Sequence, residues 1–332
     1  MNFTLTRILC LTAMLALATR SQADPLPGRD FLKFDQEPMI GTQILNTTGV
    51  VGVYNGHDEI STIYGPGNNA TQPVYQGQFM ADDFSDTVSR PVVHVTWWGS
   101  YHDTPGAVPG PPVQQFMIGF EADNPSVNGQ PSYPKAPLQY EILNSGALSP
   151  ASGTFTETPT GVQDVNGDFI YKYNAELANP FPEQANVVYW LKIAAVVNAP
   201  AGTTNPPPPG ITNWGWHNRD YTIPDPLAAP VSPGEINLGT PNDPIWHFQD
   251  DAVQGRLSYF PAGVGLNQQI IMQNPLPQNY VDFADGPQGI SNFSKDLAFR
   301  LYTTQVPEPA SGLLMTIGLA AIGSLRRRPS AR

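Results

Sequence analysis

The chain has one cysteine in 332 residues, Cys10. It sits inside an apolar stretch at 8–18 that follows Arg7. That order, a basic residue and then a short apolar run, is the start of a secretory signal, and Ser21-Gln22-Ala23 supplies a small-x-small cleavage site. The expected exported chain begins at Asp24 and holds no cysteine. Disulfides, thiolate metal sites and a cysteine nucleophile are excluded together. Charge is also scarce: Asp, Glu, Lys and Arg make up 13% of the residues, about half the usual share. Basic residues are the scarcer sign, 16 against 28 acidic. Six of the basic residues (Arg7, Arg20, Arg326, Arg327, Arg328, Arg332) lie in the two ends, as does one acid, Glu308. The span between carries 10 − 27, a net −17. Such a surface repels nucleic acid and anionic lipid, which both need neutralising cations. It accommodates divalent cations and neutral glycans.

Long stretches of apolar residues at helical spacing are absent from 24–305. Absent too are Gly-x-Ser-x-Gly, a phosphate-cradling glycine loop and a dinucleotide fingerprint. The expectation is therefore a non-enzymatic protein. Paired carboxylates are enough for glycoside hydrolysis, so a glycan-active enzyme is the remaining catalytic reading, but abundance of acids locates no pair.

What is present is alternation. In 91–101, Val93, Val95, Trp97 and Tyr101 share one face, and His94, Thr96, Trp98 and Ser100 the other. Phe116, Ile118 and Phe120 alternate in 114–122, and 138–143 reads as a short strand. Phe169, Tyr171 and Tyr173 form another set, as do Tyr189, Leu191, Ile193 and Ala195, then Leu297, Phe299 and Leu301. The links are rich in Pro and Gly, most clearly 104–112, 198–210 and 221–244. Pro206 to Pro209 form a polyproline spacer that cannot join a sheet. Many strands, few helices and stiff turns predict one all-β domain over 24–305, an antiparallel β-sandwich of jelly-roll type with long Pro/Gly-rich loops. An N-terminal signal helix (1–23) and a C-terminal membrane helix flank it.

The C-terminal segment 306–332 has three parts in order. Val306-Pro307-Glu308-Pro309 comes first, then an uncharged run over 310–325, then Arg326, Arg327 and Arg328. At about 1.5 Å per residue the run spans roughly 24 Å, slightly short of a hydrocarbon core of about 30 Å. The arginines mark the cytoplasmic side, which puts the body outside the inner membrane. This tail resembles the PEP-CTERM sorting signal of exported bacterial proteins. The resemblance implies that Pro307, Glu308 and Pro309 are the recognition element. It implies a partner, an exosortase-type membrane transpeptidase, and a helix that holds the chain in the membrane at least transiently. The expected destination is the cell surface or extracellular matrix.

A second resemblance rests on phrases in the body: Ala81-Asp82-Asp83-Phe84, Val95-Thr96-Trp97-Trp98-Gly99-Ser100, Val188-Tyr189-Trp190-Leu191-Lys192-Ile193, Trp214-Gly215-Trp216-His217 and His247-Phe248-Gln249-Asp250-Asp251-Ala252. Together they resemble a domain of unknown function found in exported bacterial proteins that often carry the same tail. It implies a sandwich fold over 30–303 and no known activity.

Three constellations have two readings each. Asp164-Val-Asn166-Gly-Asp168 has the spacing that opens a calcium loop, but Phe169 and Ala175 stand where that loop needs Gly and a bidentate acid. Asn166-Gly167 favours a tight hairpin instead. Asp82, Asp83, Asp250 and Asp251 are either calcium ligands or acids at strand ends. Trp98, Trp214 and Trp216 are either core residues or an exposed platform for sugar rings, with exopolysaccharide as the partner. The five histidines form no local zinc motif, so no cofactor other than calcium is expected. The leading functional reading is a structural or adhesive protein of the envelope or exopolysaccharide.

Overall fold

The computed structural model describes residues 30–45, 51–65, 76–102, 110–124, 133–200, 203, 206–220, 223, 253–257, 272–273 and 297–304. These residues contain strands and no helix. The strands are β1 (Asp30–Gln36), β2 (Thr42–Leu45), β3 (Val51–Tyr54), β4 (Asp58–Ile60), β5 (Thr62–Tyr64), β6 (Gln76–Phe84), β7 (Val92–Tyr101) and β8 (Gln115–Asn124). They continue with β9 (Tyr133–Ser145), β10 (Thr154–Gln163), β11 (Phe169–Phe181), β12 (Tyr189–Val197), β13 (Trp214–His217), β14 (Val253–Leu257), β15 (Met272–Gln273) and β16 (Phe299–Thr304). Fourteen of them join one sheet, in the order β1-β16-β7-β11-β10-β9-β8-β12-β5-β6-β14-β15, with β13 and β4 attached beside β7; β2 and β3 form a separate hairpin. Pairing is antiparallel except for β9–β10 and β5–β12. The signal and membrane helices expected at the two ends lie outside the described residues.

The sheet closes over itself because its strands carry one row of aromatics on the inner face. Trp97 of β7 meets Phe116 of β8 at 5.1 Å and stacks on Tyr173 of β11 at 5.3 Å. Phe120 of β8 stacks on Phe181 of β11 at 4.2 Å, and Phe84 of β6 meets Phe34 of β1 and Phe299 of β16. Each such pair adds about 0.5–1.5 kcal/mol beyond the burial of its area. The resulting core joins residues far apart in sequence, from Phe34 to Leu301.

The outer face is polar and paired. Along β7 and β11, His94 faces Glu176, Thr96 faces Asn174 and Trp98 faces Lys172. Arg300 and Lys172 both sit over the Trp98 ring, at 5.3 and 5.7 Å. On the other half, Lys192 of β12 is fully buried against Glu121 and Tyr140. Its ammonium also lies 4.2 Å from the centre of the Phe79 ring. Gly119 makes the room for this cluster: a Cβ there would fall 2.0 Å from Tyr140 Cε1.

Candidate functional site

An open cleft of about 310 Å³ is lined by Tyr101, Gly110, Pro112, Glu157, Gly167, Asp168, Phe169 and Tyr171. It forms where the end of β7, the middle of β10 and the start of β11 meet. One turn shapes its rim. The Asp164 carboxylate accepts from the backbone N–H of Asn166 and of Asp168, at 2.9 and 2.8 Å, and Gly167 takes a φ of +92°. The hairpin expected at Asn166-Gly167 is therefore present, but its loop runs from 164 to 168 and is not a two-residue turn. A primed turn needs left-handed backbone at both central residues, and here the Asp164 side chain closes the loop instead. The same bonds turn the Asp164 carboxylate inward, toward its own backbone.

Inside the cleft, Tyr101 donates its hydroxyl proton to the Glu157 carboxylate and accepts from the Val113 N–H at 3.1 Å. Burial, reinforced by Glu157, pushes the Tyr101 phenol well above its ordinary range. The Tyr101 ring meets the edge of Tyr171 at 5.3 Å. Phe169 is 54% exposed at the rim. Beside it His102 Nδ1 lies 3.2 Å from Asp168 Oδ2. Burial alone would lower His102, but the bond to Asp168 and the nearby Asp58 and Asp164 charges outweigh it and hold the imidazole above its ordinary value. The arrangement offers aromatic surfaces and carboxylate acceptors to a small polar ligand.

Behind the cleft is a buried serine–carboxylate–histidine set. Ser100 donates to Asp58, and Asp58 Oδ1 lies 2.7 Å from His217 Nδ1. The carboxylate stands between the hydroxyl and the imidazole. In a nucleophilic triad the imidazole stands in the middle and takes the serine proton. Here the second ring nitrogen faces the Met39 carbonyl at 3.1 Å. This set fastens β13 to β4 and β7, and its order does not suit acyl transfer.

Of the two readings of the tryptophans, burial favours core packing. Trp214 and Trp216 do share a face, but it is the inner one, where both are fully buried. Trp214 donates to Tyr173 Oη at 3.1 Å and Trp216 to the Ala298 carbonyl at 2.9 Å. Trp98 is on the outer face as expected, yet it is 4% exposed beneath Arg300 and Lys172. No sugar ring can stack on a surface already covered. Asp82 and Asp83 are neighbours on β6 and point to opposite faces. Asp82 accepts the Leu297 N–H at 2.7 Å, joining β6 to the entrance of β16. Asp250 and Asp251, and the tail residues Pro307, Glu308, Pro309, Arg326, Arg327 and Arg328, lie outside the described residues.

Sequence reasoning missed the cleft itself. Tyr101 and Tyr171 were each legible as strand residues, but Glu157 lies on a Thr-rich strand with no apolar alternation to reveal it. It also missed a trio of metal-ligand composition, Asp30, His94 and Glu176, whose members come from three separate strands.

A family profile described as Domain of unknown function (DUF7901) matches residues 33–284, and a PEP-CTERM protein-sorting motif matches residues 305–328. No curated protein and no solved structure matches the chain. The motif marks an exported protein that is sorted at the membrane and processed by an exosortase.

Proposed function

Starting from a chain that belongs to the DUF7901 family and carries a PEP-CTERM sorting motif, we propose that its body is a non-enzymatic structural or adhesive component of the cell surface or extracellular matrix. The sorting motif is the observation that carries this reading, because it commits the body to a place outside the inner membrane. The acidic, weakly charged composition supports it, since such a surface mixes with neutral polysaccharide without binding anionic lipid. Deleting 307–332 tests it. The shortened protein should leave the membrane fraction and appear in the medium without tail processing. Unchanged localisation and processing would overturn the sorting part of the reading.

The cleft supports a second reading, in which adhesion runs through carbohydrate. Its volume of about 310 Å³ is at the lower end of small-ligand sites, about 300–1,000 Å³. Phe169 and Tyr171 offer ring faces, and Glu157 and Asp168 accept hydroxyl protons. Titration of the purified protein with neutral polysaccharides should give saturable binding that Tyr171→Ala and Phe169→Ala weaken together. Equal binding by wild type and the double variant would remove the cleft from the account.

A further inference from the structure

On the outer face of the sheet, three strands bring ligand atoms to one place. Asp30 is the first residue of β1, the edge strand, and pairs with Thr304 of β16. His94 on β7 pairs with Tyr302 of β16 on one side and Glu176 of β11 on the other. One ligand atom from each of Asp30, His94 and Glu176 lies within 4.8 Å of the other two. All three residues are buried, at 1%, 0% and 1% exposure. His94 Nδ1 is 2.8 Å from Glu176 Oε1. The Tyr302 ring closes the site edge-on at 5.3 Å from the imidazole.

The ring nitrogen on the carboxylate side is Nδ1, which faces Glu176. A cation that takes the Nδ1 lone pair replaces the proton shared between these two atoms, and the two carboxylates balance the charge of a divalent ion. The donor set, one imidazole and two carboxylates, suits first-row transition ions and zinc better than calcium, which prefers oxygen throughout.

We propose that Asp30, His94 and Glu176 form a binding site for one divalent first-row transition-metal ion, which pins edge strand β1 across β16 to β7 and β11. The described residues hold no cysteine, and among them such an ion is a cross-link of the kind disulfides supply elsewhere. It would hold the strand nearest the N-terminus, which otherwise pairs with β16 alone among the described strands.

The test uses protein purified from its cells without a polyhistidine tag, stripped with chelator, and titrated separately with Zn²⁺, Mn²⁺, Co²⁺ and Ni²⁺. Elemental analysis after desalting should find one equivalent of at least one ion per chain. With Co²⁺, d–d absorption should appear and saturate at that ratio. The melting temperature should rise with ion concentration, as binding to the folded state alone requires. His94→Gln should abolish retention of the ion, the Co²⁺ spectrum and the rise. Asp30→Asn, at the sheet edge, gives a second variant that keeps the test open where His94→Gln fails to fold. Absence of retained ion across the series would overturn the proposal, and so would equal retention by wild type and either variant.

Discussion

Raising the pH from 5 to 8 should weaken the folded state, and Glu59 shows how far. Glu59 lies on β4, 6% exposed, beside His57 and Asp58. Burial pushes its carboxyl from 4.5 to about 7, with the His57 contact pulling it back and the Asp58 charge adding to the rise. The folded state therefore binds this proton more tightly than the unfolded chain does. The contribution is fully present below about 4.5 and is lost as pH rises through about 7. At about 1.4 kcal/mol per pH unit, that interval corresponds to roughly 3 kcal/mol. Glu183 acts in the same direction. Burial first, and then the Asp86 charge, raise it to about 8 against the opposing pull of Lys33. His102, held above its ordinary value, has the same sign: its stabilisation is present at low pH and fades as the pH rises through the folded-state value. Urea unfolding followed by tryptophan fluorescence at pH 5, 6, 7 and 8, at fixed ionic strength, measures the slope. Wild type should lose several kcal/mol over that range. Glu59→Gln, which keeps the shape and removes the charge, should flatten the loss by about 3 kcal/mol at most and should be the more stable protein at pH 8. A flat or rising wild-type profile would refute the reasoning, as would a Glu59→Gln profile parallel to wild type.

Two substitutions probe the outer face. Lys192→Met leaves the Glu121 carboxylate buried beside Tyr140 and should cost about 3–5 kcal/mol, whereas adding Glu121→Leu should recover most of the loss; equal stability of the single and double variants in urea would refute the coupling. Gly119→Val places a branched side chain where the Tyr140 ring lies, 2.0 Å from the Cβ position. Its melting temperature should fall by several degrees, and no change would mean that the ring is not held there.

The strands that could be read from sequence are those with one apolar face. Alternation located β7, β8 and β12 nearly end to end and the first half of β11, and it put Trp97 and Trp98 on opposite faces. Strand β10 was missed because, of Thr154–Gln163, one residue is buried, and Thr154, Thr156, Thr158 and Thr160 line one face without any apolar alternation. Strands β1 and β6 were missed because charges are buried in them, Lys33 and Asp82 among them, and a local pattern cannot show the partner that makes a buried charge tolerable. The tryptophans illustrate the same limit. Trp214 and Trp216, two residues apart, share a face by alternation, but which face is inner depends on β4 and β7 pairing with β13. The sites are further from view. Glu157 meets Tyr101 across 56 residues and His94 meets Glu176 across 82, distances over which no spacing rule operates. The sorting tail was legible because its signal is local: three parts, contiguous, in fixed order.

The account's central claim is export followed by tail processing, and intact-mass analysis tests it most directly. The protein would be recovered from its own cells, with membrane and medium fractions kept apart. The account predicts a mass that corresponds to a chain from Asp24 to about Pro309, with or without an added group. A membrane-bound chain that still ends at Arg332 would contradict it.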